Sequence, residues 1–116
     1  MHFKLIIALV EDNATNDVVD AARKAGAKGS TVINQARGEG ITQSTTFFGL
    51  NLEAQRDMVL LLVEEHLARQ VLETIASLCK FDEQPGRGIA FQIDVEDAVG
   101  VSHQIRELYS VVEEEL

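Results

Sequence analysis

The sequence is short of several things, and each shortage excludes a class of protein. It has one cysteine in 116 residues. Cys79 alone cannot form an internal disulfide, so a reducing cytoplasm is the expected compartment. No apolar run approaches the ~20 residues that a membrane-spanning helix needs. The longest, Met58 to Val63, is the size of a strand. The first residues, Met-His-Phe-Lys, carry no basic region ahead of their apolar stretch. Glu11 and Asp12 follow it where a cleavage site would need small residues, so neither signal peptide nor membrane insertion is expected. Cations are scarce as well: ten Lys and Arg face nineteen Asp and Glu, a formal net charge of -9. A non-specific nucleic-acid binder shows a basic face, and this composition does not supply one. Part of the acidic excess is the closing run Glu113, Glu114, Glu115, which reads as a solvated end.

Catalytic signatures are missing too. His2, His66 and His103 are scattered, with no second ligand at metal spacing. The sequence shows no Gly-x-Ser-x-Gly, no Walker loop and no paired-carboxylate arrangement of the kind acid–base catalysis uses. Cys79 sits on the apolar side of a predicted helix end and reads as a buried filler. The expectation is a protein that is not an enzyme.

What is present is a clear alternation of elements. Its 46% hydrophobic content suits one globular core, and residues 1–116 read as a single domain. Phe3 to Val10 is apolar except for Lys4 and predicts a buried strand. Asn13, Thr15 and Asn16 are candidate N-caps for a helix over about 14–26. Val18, Val19, Ala22 and Ala25 form its apolar face, and Gly26 is its stop. Ser30 to Ala36 predicts a second strand. Asp57 to Val63 predicts a third, and Glu64 and Glu65 open a helix running to about Cys79. That helix has Leu67, Val71, Leu72, Ile75, Leu78 and Cys79 on one face. Pro85, Gly86 and Gly88 break the chain, and Ile89 to Val95 alternates as a fourth strand. Ile105, Leu108, Tyr109 and Val112 predict a helix over 103–116.

The order β-α-β-β-α-β gives an α+β, ferredoxin-like sandwich with both helices on one face and an added C-terminal helix. The strands at Phe3–Val10 and Met58–Val63 are apolar on nearly every residue, which two helices on one face cannot explain. The second face is expected to be buried against other subunits, with the C-terminal helix as the competing cover.

Between the second and third strands lies a long hydroxyl-rich loop, residues 38–56. Loops of this length carry function more often than structure. Phe47 and Phe48 are its sharp feature. Two adjacent aromatics in a polar loop suit an anchor for a partner pocket, and equally suit packing back on the domain.

Three segments resemble the PII signalling family. Gly29-Ser30-Thr31-Val32 is similar to its Gly-x-Thr-Val strand start. Arg37-Gly38-Glu39-Gly40 resembles the base of its T-loop. Pro85 to Phe91, followed by Asp94-Val95-Glu96-Asp97-Ala98-Val99, resembles the glycine loop, strand and segment that close the domain. The resemblance covers residues from about 3 to 101. It implies a homotrimer with a nucleotide cleft between subunits, and a loop that reports ligand state to a regulated membrane transporter or enzyme. Carried over by position, it implies Thr31, Arg37, Gly38 and Gly40 on the loop-base side. Arg56 stands near the lysine that closes the T-loop, and Gly86, Arg87 and Gly88 match the second glycine loop.

The departures matter. Ile89 stands where the family has a lysine, and Gly100-Val101-Ser102 stands where it has Arg-x-Arg. Each charge-assisted hydrogen bond lost is worth about 1.5–3 kcal/mol, so ATP is disfavoured. AMP, ADP or another small anion is the expected ligand, and no cofactor is required. The loop has no tyrosine and so no acceptor for the family's tyrosine modification. Glycine-rich turns can form anion-binding nests, with Arg37 and Arg87 supplying fixed charge. The plain alternative is that these glycines only make turns. Two other functions remain in view: a CutA-type metal-ion-binding trimer, and an oligomeric adaptor with a degenerate ligand cleft.

Overall fold

The computed structural model describes residues 2–36, 46–47, 50–51, 56–84 and 86–101. It contains β1 (Phe3–Glu11), α1 (Thr15–Lys24), β2 (Thr31–Ala36), β3 (Thr46–Phe47), β4 (Leu50–Asn51), β5 (Arg56–Glu64), α2 (Glu65–Leu78) and β6 (Gly88–Val95). β2, β5, β1 and β6 form one antiparallel sheet in that order. This is the expected split βαβ arrangement. The predicted helix over 103–116 lies outside the described residues, as do Arg37, Gly38, Gly40 and Phe48.

The sheet alternates as a strand pleat requires. Ile6, Ala8 and Val10 of β1 are fully buried, and their register partners across β5 are Leu61, Val59 and Asp57. With Val63 they face Val18, Ala21 and Ala22 of α1 and Ala68, Val71 and Ile75 of α2. The intervening residues, Leu5, Ile7 and Leu9 of β1 and Met58, Leu60 and Leu62 of β5, are only half-buried. In register beside them lie Ile89, Phe91 and Ile93 of β6 and Ile33 of β2. Among the described residues, no helix covers this second face.

Both helices end alike, for different reasons. Ala27 N–H donates to Ala22 O at 3.0 Å and Gly26 N–H to Arg23 O at 3.1 Å, with Gly26 at φ +111°. This is a Schellman ending on the residue best suited to a left-handed backbone. At the end of α2, Phe81 N–H donates to Ala76 O at 3.1 Å, and the left-handed residue is Lys80, at φ +57°.

Three local expectations change. Asp12–Ala14 is a separate 3-10 turn, so α1 starts at Thr15 and none of the predicted caps acts as one. Thr15 instead donates its hydroxyl to Asp57 Oδ2 at 2.6 Å, a buried bond between helix and sheet. Leu78 is 56% exposed, and the small Ala68 takes a place on the buried face of α2. The segment read as loop contains a short hairpin, β3 paired with β4 through Thr46↔Asn51 and Phe47↔Leu50. Two residues per strand are too few to show alternation in a sequence.

Candidate functional site

The register brings Arg56 and Gly88, two of the sequence-predicted residues, to one end of the sheet. Ala36, which precedes Arg37, is the register partner of Arg56; Arg56 is paired with Glu11, and Val10 with Gly88. The end of β2 and the second glycine turn therefore stand at the same end of the sheet. They lie on opposite edges, β2 and β6. Three strand spacings separate those edges, about 14 Å. Thr31 opens β2 and is exposed. It lies at the other end of that strand from Ala36, five residues and roughly 16 Å away.

The second glycine turn is held by its carbonyls. Arg56, 6% exposed, donates from Nη1 to Gly86 O at 2.9 Å and lies 3.8 Å from Glu11 Oε1. The next carbonyl, Arg87 O, accepts the Glu11 N–H at 3.1 Å. Arg87 N–H closes the turn on Gln84 O at 3.2 Å, and Gly86 has φ +81°. That geometry fits the third position of a type II turn, where glycine is favoured. Gly88 is glycine for a different reason. A Cβ there would sit 2.9 Å from Cε1 and Cζ of Phe81 and from Val10 Cγ1. Both glycines thus have structural causes, and the Arg87 N–H is already paired within the turn.

The Arg87 side chain turns into its own subunit. Its Nε donates to Cys79 O at 2.7 Å, and Nη2 lies 3.5 Å from Asp17 Oδ2. Cys79 caps the C-terminal end of α2, and Asp17 lies in the first turn of α1. The guanidinium therefore bridges the negative pole of one helix and a carboxylate near the positive pole of the other. The Cys79 thiol is 1% exposed. Burial raises its pKa, the Asp17 charge raises it further, and Arg87 opposes both.

Two depressions lie away from this end. A cleft of about 110 Å³ is lined by Arg23, Ala27, Lys28, Gly29, Ser30 and Leu61, next to Thr31. Ligand pockets run to about 300–1,000 Å³, so this cleft holds only part of a nucleotide. A shallower one of about 560 Å³ is lined by His2, Phe3, Glu65, Asp94, Val95 and Glu96. Its three carboxylates make it a poor phosphate site. Among the described residues, no three His, Cys, Asp or Glu side chains gather to hold a metal ion. No described helix is long and apolar enough to cross a membrane.

Of the ligand-binding residues expected from the sequence, Arg56, Gly86, Arg87 and Gly88 lie near one another in the structure, whereas Arg37, Gly38 and Gly40 lie outside the described residues. The structure does not bring Thr31 to those four within one chain. Glu11 and Asp17 escaped notice as members of the locus. Asp17 reads as an ordinary first-turn acid, and Glu11 as the residue that follows a strand.

The profile of nitrogen regulatory protein P-II matches residues 3–104. No curated protein sequence matches the chain. Among solved structures, the chain is similar to a putative PII-like signalling protein from Thermus thermophilus. The identity is 25% and the TM-score 0.60, covering 82% of this chain and 88% of that one. It is also similar in fold to a PII-like protein from Thiomonas intermedia. In its complex with ADP, AMP and acetate the identity is 24% and the TM-score 0.59, covering 83% of this chain and 90% of that one. In its complex with ADP and bicarbonate the values are 22% and 0.57, covering 84% and 91%.

Proposed function

The chain belongs to the nitrogen regulatory protein P-II family, and from that premise we propose that it is a cytoplasmic, homotrimeric signal-transduction protein. It binds an adenine nucleotide or small anion in clefts between copies and regulates a partner transporter or enzyme through loop 38–56. The reading is one of signalling, not catalysis.

One observation carries it. β2 ends at Ala36 at the same end of the sheet as the Gly86–Gly88 turn, but the two lie on edges about 14 Å apart. A rigid sheet cannot bring its own two edges together. A neighbouring copy can set its β2 edge beside this β6 edge. Thr31 and the small basic cleft at Lys28 would then belong to the same composite site. The half-buried apolar face formed by Leu5, Ile7, Leu9, Leu60, Leu62 and Phe91 gives the copies a surface to bury. Phe47 and Phe48 remain the proposed partner anchor.

AMP and ADP are favoured over ATP because Ile89 and Gly100–Ser102 supply no cation. The Thiomonas protein's complexes make bicarbonate a reasonable small anion to include. Isothermal titration with AMP, ADP, ATP and bicarbonate, beside sedimentation equilibrium, tests the proposal. Saturable binding by a trimer, with ADP or AMP tighter than ATP, is the expected result. A folded trimer silent to all four would favour the adaptor reading, which Ile89 and the inward-turned Arg87 support.

A further inference from the structure

The side chain of Arg87 is the one cation of the second glycine turn, and the Nε/Nη2 edge of its guanidinium is turned to groups of its own chain. A phosphate-binding arginine presents its planar fork outward, with paired N–H groups free for two oxygens. Here Nε, one member of that fork, is engaged at 2.7 Å with Cys79 O. Nη2, on the same edge of the guanidinium, faces Asp17 at 3.5 Å. The side chain is 22% exposed, and the carbonyl of the same residue is tied to the Glu11 N–H. One residue thus joins the glycine turn to the end of α2, the start of α1 and the end of β1.

We propose that Arg87 is a positioning residue: a strut to Asp17 and the Cys79 carbonyl that sets where the Gly86–Gly88 turn stands, instead of a contact to ligand phosphate. Asp17 belongs to the same device, though it touches no ligand. This rests on the proposed nucleotide site and assigns its specificity. Arg87 then governs affinity without counting phosphates. The chemistry of arginine is required, because one lysine nitrogen cannot serve both partners along a planar edge.

The experiment compares Arg87→Ala, Arg87→Lys and Asp17→Ala with the parent protein. AMP and ADP affinities are measured by calorimetry, and the labelling rate of Cys79, the only thiol, by a disulfide reagent. A strut predicts that Arg87→Ala weakens AMP and ADP by the same factor, about tenfold. Lysine does not rescue it, and Asp17→Ala reproduces part of the loss. Cys79 labels faster in Arg87→Ala and Arg87→Lys, although loss of the charge in the alanine variant would by itself raise the thiol pKa and slow labelling, while the oligomeric mass is unchanged. A phosphate contact predicts the opposite pattern: ADP falls much further than AMP, lysine rescues as a point charge, and Asp17→Ala is silent. That pattern would overturn the proposal. If the parent protein binds neither nucleotide, the ligand reading fails separately, and the labelling rates still decide the strut. Unchanged labelling in Arg87→Ala and Arg87→Lys rejects it. Asp17 is 63% exposed, so its alanine variant is expected to fold even if Arg87→Ala does not.

Discussion

The two faces of the sheet are built from nearly the same residues and end in opposite states. On the helix side, Ile6, Val10, Val59 and Leu61 are at most 1% exposed. On the other side, Leu5, Ile7, Leu9, Leu60 and Leu62 are as apolar and only half-buried. Hydrophobicity therefore does not distinguish a core from an interface; what packs against the residue does. The first face carries the stability of the single chain, and the second has apolar surface to offer to another copy.

The sharpest break is Leu61→Ala against Leu60→Ala. The first removes a fully buried side chain and is expected to cost about 2–5 kcal/mol in urea unfolding. The second is expected to cost the isolated chain far less and to weaken assembly instead, seen as a lower mass on dilution. Equal effects on both would mean that both faces are core. Gly88→Ala comes next. Its new methyl meets Phe81 and Val10, and a loss of about 1–3 kcal/mol is expected, with the glycine turn displaced. Asp57→Ala follows, at about 1–3 kcal/mol, because it leaves the buried Thr15 hydroxyl without its acceptor. Thr15→Val with Asp57→Ala should recover part of that loss if the bond is the cause. Lys80→Gly is a gain, about 1 kcal/mol higher stability, since glycine relieves the left-handed backbone at the end of α2.

The smallest effect is electrostatic, at the rim of the helix face. Lys4 and Asp94 pair across β1 and β6. The hydrogen bond raises the lysine pKa and lowers the aspartate pKa. A lowered carboxylate stabilises above its unfolded pKa and stops doing so as pH falls through the folded value. A raised lysine stabilises below its unfolded pKa and stops as pH rises through the folded value. The pair should therefore help across the neutral range and fail in acid and in strong base. Lys4→Met should flatten both limbs of a stability-against-pH curve slightly, since exposed pairs contribute little.

Much of this was legible in the residues. The split βαβ order followed from strand-sized apolar runs and two amphipathic helices, because periodicity is a local property. Gly26 was readable as a helix stop because glycine is the usual left-handed cap. Lys80 was not, since nothing local marks a lysine for that role and the packing of Phe81 against the core holds it there. Thr15 looked like a cap, and Asp57 drew its hydroxyl away from a position 42 residues along the chain. The resemblance named Gly86, Arg87 and Gly88 as one loop and Arg56 as the close of another, but the bond from Arg56 to Gly86 that ties them was not legible.

By itself the sequence determined the four long strands, the two helices between them and the two apolar faces. These depend on composition and on spacing within a few residues. Only the tertiary structure decided where the charges point. Arg56 reaches a carbonyl thirty residues on, and Arg87 turns inward to Asp17 and Cys79. The physical reason is that a guanidinium goes to whichever acceptors the packed elements leave open, and those acceptors come from strands and helices far apart in the chain.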